Sequence, residues 1–141
     1  MSLDDLLREG AVERVDANRK HAEDTLRLAQ RDIKVAGDNL RDGNYDWVLA
    51  ISYNAMLSAA RALMTSQGYR PSGESKHVSV VRFIEETLGG GHENMVLTLD
   101  RLRKRRHKVV YDIPDTVSEN EARQSLKTAE EFMKKIREKI Q

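Results

Sequence analysis

Residues 101–112 of the chain read RLRKRRHKVVYD. Six of the eight positions from Arg101 to Lys108 are Lys or Arg, with His107 among them and Tyr111 just behind. Guanidinium and ammonium groups attract phosphate. An imidazole takes and gives a proton near neutral pH. A phenol stacks on rings and shares a hydrogen bond. Residues of these types, brought together, can hold a phosphate and move a proton beside it.

Whether they are together depends on which way each one faces. An α-helix turns by about 100° per residue. Met95, Leu99, Leu102 and Val109 then fall on one apolar stripe, with Arg106 in its middle. Arg101, Lys104, Arg105 and Lys108 lie on the opposite side. Arg103, His107 and Tyr111 make a third row along one border of the stripe. The outer four are either a solvated face or a contact for a nucleic-acid backbone. Apart from Asp100 beside Lys104, nothing at helical spacing relieves their mutual repulsion. An arginine on an apolar stripe must be paired, with Asp46 as one candidate, or must face a cleft or a subunit interface.

The elements that position this run are helical. The chain has 141 residues, a size that suits one domain over residues 1–141. A third of the residues are charged and only 5% are aromatic, the composition of a helical bundle with wet outer faces. Ala22, Leu26, Ala29, Ile33, Ala36 and Leu40 form one stripe of a long helix between about Asp16 and Asp42. Asn44 to Gln67 holds only two charges, Asp46 and Arg61, and is apolar nearly all round. Such a helix packs on several sides. A thin polar seam of Asn54, Ser58, Arg61 and Thr65 runs along it. Residues 68–75 read as a loop, and no segment shows strand alternation. Lys76 to Leu88 is a further helix, Gly89–Gly91 breaks it, and the basic helix runs from Glu93 to about Asp112. Ser118 and Glu121 have capping-box spacing and open a last helix. Ser2 to Glu9 is a short helix capped by Ser2. The expected fold is all-α: an antiparallel up-and-down bundle of four long helices plus one or two short ones.

Several classes of function are excluded or disfavoured. Net charge is +1, so any nucleic-acid site is a local patch. There is no cysteine, which removes disulfides, thiol catalysis and Cys-type zinc sites. No two histidines have metal-ligand spacing, so neither metal nor cofactor is expected. His77 opens a helix and reads as packing or capping rather than reactive. His21 and His92 read as solvent-facing or capping. Gly89–Gly91 precedes a helix but lacks the Lys-Ser/Thr of a phosphate loop. No basic start with a long apolar run is present, and no span of roughly 20 apolar residues occurs, so a cytoplasmic protein without membrane contact is expected.

The stretch from Asp32 to Phe83 resembles the HEPN domain family. The likeness rests on Gly43-Asn44-Tyr45-Asp46-Trp47, on Ala50 followed by Ser52-Tyr53-Asn54-Ala55-Met56, on Ala59-Ala60-Arg61-Ala62-Leu63, and on the Gly68 loop before His77. The Arg-rich helix ending in Tyr111 then occupies the family's signature position, and the match spans most of residues 17–140. The resemblance implies a helical bundle that forms a homodimer with signature helices facing across a two-fold. It implies metal-independent RNA cleavage in active members, some of toxin type in toxin–antitoxin pairs. The signature is an Arg, a polar residue, three variable residues and a His. Arg106 and His107 match the first two, and Tyr111 stands where the last His would be. A looser frame uses Arg101 and His107.

By that likeness Arg106, His107 and Tyr111 are the candidate catalytic set. Arg103, Arg101, Lys104, Arg105 and Lys108 are candidates for holding RNA or a nucleotide. An ordinary phenol, with a pKa of about 10, is a poor base near neutral pH, so proton transfer falls to His107. The alternative is a non-catalytic dimeric module that binds a partner, such as a nucleotidyltransferase of the kind often encoded beside these proteins.

Overall fold

A computed structural model describes residues 2–141. The helices are α1 (Leu3–Arg8), α2 (Arg19–Arg41), α3 (Tyr45–Gln67), α4 (Lys76–Leu88), α5 (Glu93–His107) and α6 (Glu119–Ile140). A π-helical turn, Lys108–Asp112, continues α5.

α3 is the axis, as its missing wet face requires. Leu49, Tyr53, Met56, Leu63 and Met64 are fully buried along it. Ala55, Ala59, Ala60 and Ala62 are equally buried and let neighbouring backbones come close. α2 and α6 lie against α3 and against each other, while α4 and α5 pack together and also against α3. The facing stripes are those the periodicity implied. Ala22, Ala29 and Ala36 are buried on α2, and Ala122, Phe132 and Ile136 on α6. The all-α bundle is therefore present.

The structure adds what the sequence pattern did not show. Val12–Arg14 (β1) and Tyr69–Pro71 (β2) form a two-stranded antiparallel sheet, with Glu13 opposite Arg70. The loop assigned to residues 68–75 therefore begins as a strand. Three residues are too few for alternation to register. The first long helix starts at Arg19 rather than near Asp16, because Asn18 caps it by accepting from the His21 N–H at 2.9 Å. Ser118 does cap α6, accepting from the Glu121 N–H at 3.0 Å. The return half of that box is not made, since the Glu121 carboxylate is held by Arg105 instead.

Two clamps set the geometry around α3. At its start, the Tyr45 hydroxyl donates to Glu119 at 2.8 Å, and the Asp46 carboxylate accepts the N–H groups of Asp115 and Val117. At its end, Gly68 caps the helix in the left-handed conformation, its N–H bonded to Met64 and Thr65 carbonyls. The Val15 N–H then donates to the Gly68 carbonyl at 2.9 Å. Ser72 Oγ donates to the Gly10 carbonyl at 2.6 Å. The small sheet thus fixes where the chain re-enters as α4, and with it the position of His77.

Gly68 has φ +86°, and a Cβ there would stand 2.9 Å from the Val15 carbonyl oxygen. Gly68→Ala should lower unfolding free energy by about 1–3 kcal/mol through left-handed strain and this close approach. Urea denaturation checks it; an unchanged midpoint would mean the close approach costs nothing.

Candidate functional site

α5 turns Val96, Leu99 and Leu102 inward, and Val109 of the π-helical turn is buried behind them. Met95 is only partly buried. The turn exists because the chain is about to meet Pro114, which disfavours helical geometry in the residue before it. Ile113 is accordingly extended, and its N–H reaches back to the Lys108 carbonyl at 2.8 Å. A uniform 100° step therefore stops describing the chain at residue 108.

The charges sort differently from the angular reading. Asp100 binds both Arg103, at 3.0 Å, and Lys104, at 3.3 Å. Burial pushes the Asp100 carboxyl up, but the hydrogen bonds and charges of Arg103 and Lys104 together outweigh it and leave it lowered. Arg105 is not on the outer face. Its guanidinium donates to both Glu121 oxygens, at 2.8 and 3.0 Å, and to the Thr116 carbonyl at 3.0 Å. The bond to Glu121 raises its pKa further. The repulsion in the run is thus relieved from α6 as well as from Asp100. Arg101, Arg106 and Lys108 make no ion pair among the described residues. The candidate pairing of Arg106 with Asp46 does not form, because Asp46 is engaged by the loop before α6.

Arg106 is half-buried, and its Nε is buried with no hydrogen-bond partner among the described residues. Its Cζ lies 6.0 Å from the centre of the Tyr111 ring, within cation–π range. The Tyr111 and His107 rings are 4.9 Å apart, and both side chains are exposed. The three candidate catalytic residues therefore lie side by side.

The charge of Arg106 also acts on a pair that the sequence did not single out for chemistry. The Tyr53 hydroxyl and His77 Nδ1 share a hydrogen bond of 3.1 Å. His77 does pack at the start of α4, as read, but against this phenol. Burial pushes Tyr53 up to about 12, against the downward pull of Arg103, Arg106 and Arg61, while Asp100 adds to the rise. Burial lowers His77, and the charges of Arg61, Arg106 and Arg103 lower it further. Arg61, from the polar seam of α3, also has a buried Nε without a partner among the described residues. In the sequence, Arg61 lies on that seam eight residues beyond Tyr53, and Tyr53 and His77 are both among the residues that carry the family likeness.

Beside the site lies an apolar face. Trp47, Val110, Tyr111 and Ile113 are exposed at 61%, 42%, 64% and 47%, far more than large apolar side chains usually are. A shallow cavity of about 220 Å³ is lined by Trp47, Ala50, Val110 and Pro114. Among the described residues no cluster of His, Asp or Glu has the geometry to hold a metal ion. Among the described residues no helix is long and apolar enough to cross a membrane.

Together these features define a helical bundle whose central alanine-rich helix supports a basic helix ending in Tyr111. The HEPN domain family model matches residues 22–139, and the chain belongs to that family. No curated protein matches its sequence.

Two measurements follow from this geometry. Arg105→Ala should lower stability by about 1–2 kcal/mol, because it removes a charged bidentate bond that is only partly exposed. Arg101→Ala should change it by less than about 0.5 kcal/mol. Equal losses in thermal melts of the two variants would contradict the assignment. The second concerns pH. Folding depresses His77, so the unfolded chain takes the proton first as pH falls. Stability carried by the neutral imidazole is complete above its usual value of about 6.5 and declines below it. Between about pH 7.5 and about pH 5.5, the parent protein should lose more stability than His77→Gln. Parallel losses would show His77 to be unlinked to folding.

Proposed function

We propose that this protein acts on or binds RNA at Arg106, His107 and Tyr111, in a basic cleft shared by two copies of the chain, as a metal-independent endoribonuclease of toxin type. The observation that carries the reading is Arg106. It sits among Leu102 and Val109, has no carboxylate partner among the described residues, and borders two exposed rings. A half-buried guanidinium without a counterion is costly to maintain, and an anion brought from outside offsets that cost. Family members often dimerise, and the exposed Trp47, Val110, Tyr111 and Ile113 offer an apolar surface for a second copy.

In this reading Arg106 binds a phosphate oxygen of the scissile diester. The neighbouring ribose 2′-hydroxyl attacks phosphorus, forming the 2′-O–P bond as the P–O5′ bond breaks. The products are a cyclic phosphate and a 5′-hydroxyl. Arg106 stabilises the charge that develops on the non-bridging oxygens. His107 takes the 2′-hydroxyl proton, and the leaving 5′-oxygen is protonated from solvent or by the returned proton. Tyr111 stacks on a base or bonds to the backbone. Arg101 and Lys108, the unpaired outer cations, supply salt-sensitive attraction, with Arg103 and Lys104 adding to it. Arg105 serves the fold through Glu121.

Purified protein should cleave single-stranded RNA in EDTA, and Arg106→Ala should abolish cleavage. Affinity should fall with rising salt, by a log–log slope of about −0.7 per phosphate neutralised. Absence of any RNA binding at low salt would remove this reading.

A second reading has its own support in Tyr111 at the signature's last position and in the apolar face beside it. In that reading the bundle is a non-catalytic dimeric module for a protein partner such as a nucleotidyltransferase. Arg106→Ala would then weaken the dimer in sedimentation while leaving RNA affinity unchanged.

A further inference from the structure

Besides the apolar face next to Tyr111, the molecule has a concave apolar surface on α4 and α5. The two helices pack together and are joined by the Gly89–Gly91 turn. Between them runs a groove of about 490 Å³, lined by Val78 and Val81 of α4 and by Val96 and Leu97 of α5. The helices contribute at the same spacing. Val78, Val81, Arg82 and Glu85 line one side, and Glu93, Val96, Leu97 and Asp100 the other. Steps of three, four and seven residues trace one face of each helix. Carried on to Arg103, the α5 side is roughly 15 Å long, about three turns. Val81 and Val96 are buried at the floor. Leu97 stands on the lip at 67% exposure, more than any other large apolar side chain among the described residues. A single exposed leucine is ordinary, but this one extends a valine-floored groove.

The rim has a sign. Arg82 is held by Glu9 at 2.7 Å, and Arg103 by Asp100 at 3.0 Å. The Glu93 carboxylate accepts the Gly91 N–H, a neutral donor. Neither Glu85 nor Glu93 has a Lys or Arg partner among the described residues. Two uncompensated carboxylates therefore stand at the end of the groove next to the glycine turn, in contrast to the basic run further along α5.

We propose that the α4–α5 groove is a docking site for an amphipathic helix of a protein partner, one whose apolar face is flanked by Lys or Arg. A helix laid against two others packs its ridges into their groove, and such recognition is read at three-, four- and seven-residue spacing. The apolar side chains of the partner helix cover Val81, Val96 and Leu97. Its cations meet Glu85 and Glu93. The free carboxylates repel a nucleic-acid backbone and an anionic lipid surface. A second copy of the chain reaches a concave groove only with a different, convex face, and such a head-to-tail contact grows into rings or filaments rather than a two-fold dimer. The groove contains none of Arg106, His107 and Tyr111, so the proposal stands whether or not those residues bind RNA.

The test uses a fluorescein-labelled peptide of about 18 residues, long enough to form a helix, with leucines on one face and lysines flanking them. A second peptide carries glutamates in place of the lysines. Anisotropy measures the affinity, and methyl NMR of the full chain locates the binding. The lysine peptide should shift the Val81, Val96 and Leu97 methyls and bind at least about tenfold more tightly than the glutamate peptide. Leu97→Asp should weaken the lysine peptide by about tenfold or more. Glu85→Lys should also weaken it, while strengthening the glutamate peptide. Equal affinity of the two peptides, shifts confined to Val110 and Ile113, or unchanged affinity in both variants would overturn the proposal. Should Leu97→Asp fail to fold, Glu85→Lys decides alone, because the Glu85 side chain is exposed. Assemblies that lengthen with protein concentration in sedimentation, and are dispersed by Leu97→Asp, would assign the groove to a second copy and overturn the partner helix.

Discussion

The structure depends on the enclosure of α3. A helix of 23 residues with apolar groups on almost every side has to be covered on every side. Two long helices cover it along its length, and the shorter α4–α5 pair covers the remainder. Its alanines let the covering helices approach, so the few polar groups that α3 carries lie close to the groups opposite. Tyr53 is fully buried and still finds the imidazole of His77. Arg61 reaches only a partly wet seam, where its Nε has no partner among the described residues.

Around that helix the carboxylates decide which cations are available. Asp100 and Glu121 between them hold Arg103, Lys104 and Arg105. The capping carboxylate of α6 is diverted to Arg105, and α6 is thereby tied to α5 as well as to α3. What remains is a division of labour by geometry. Arg105 ties α5 to α6 through Glu121, while Asp100 holds Arg103 and Lys104 within α5. Arg101 and Lys108 face water. Arg61 and Arg106 stand half-buried and uncompensated, in a setting that favours an incoming anion. Counting basic residues along the chain would treat all of these alike.

The π-helical turn links this charge pattern to the surface. Pro114 ends the basic helix, Ile113 turns extended, and the backbone closes with a wider ring at Lys108. Val109 stays buried while Val110, Tyr111 and Ile113 emerge beside Trp47. The Asp46 carboxylate holds the following loop against the start of α3 by two backbone N–H groups. The exposed face is thus built from Trp47 of α3 and from the π-helical turn that follows Arg106 of α5.

Much of this was readable from residue order. The stripes of α2 and α6 obey one helical period for about five turns, so their buried faces follow from local geometry alone. The polarity of α3 announced a central helix, and a constant turn angle put Arg106 on the inward side of the basic helix, where its Nε is buried. The same reasoning failed where its assumption failed. A constant turn angle puts Arg105 on the outer face, solvated or against a nucleic acid, yet Glu121, sixteen residues away, pairs with it. Two strands of three residues were too short to leave a period. The contact between Tyr53 and His77 joins residues 24 apart, on helices whose relative placement depends on the small sheet and the Gly68 turn. Local sequence determined which segments are helical and which faces are apolar, because those depend on neighbours within a turn or two. Only tertiary structure decided which charges are neutralised and which polar groups meet, because those depend on distance through space.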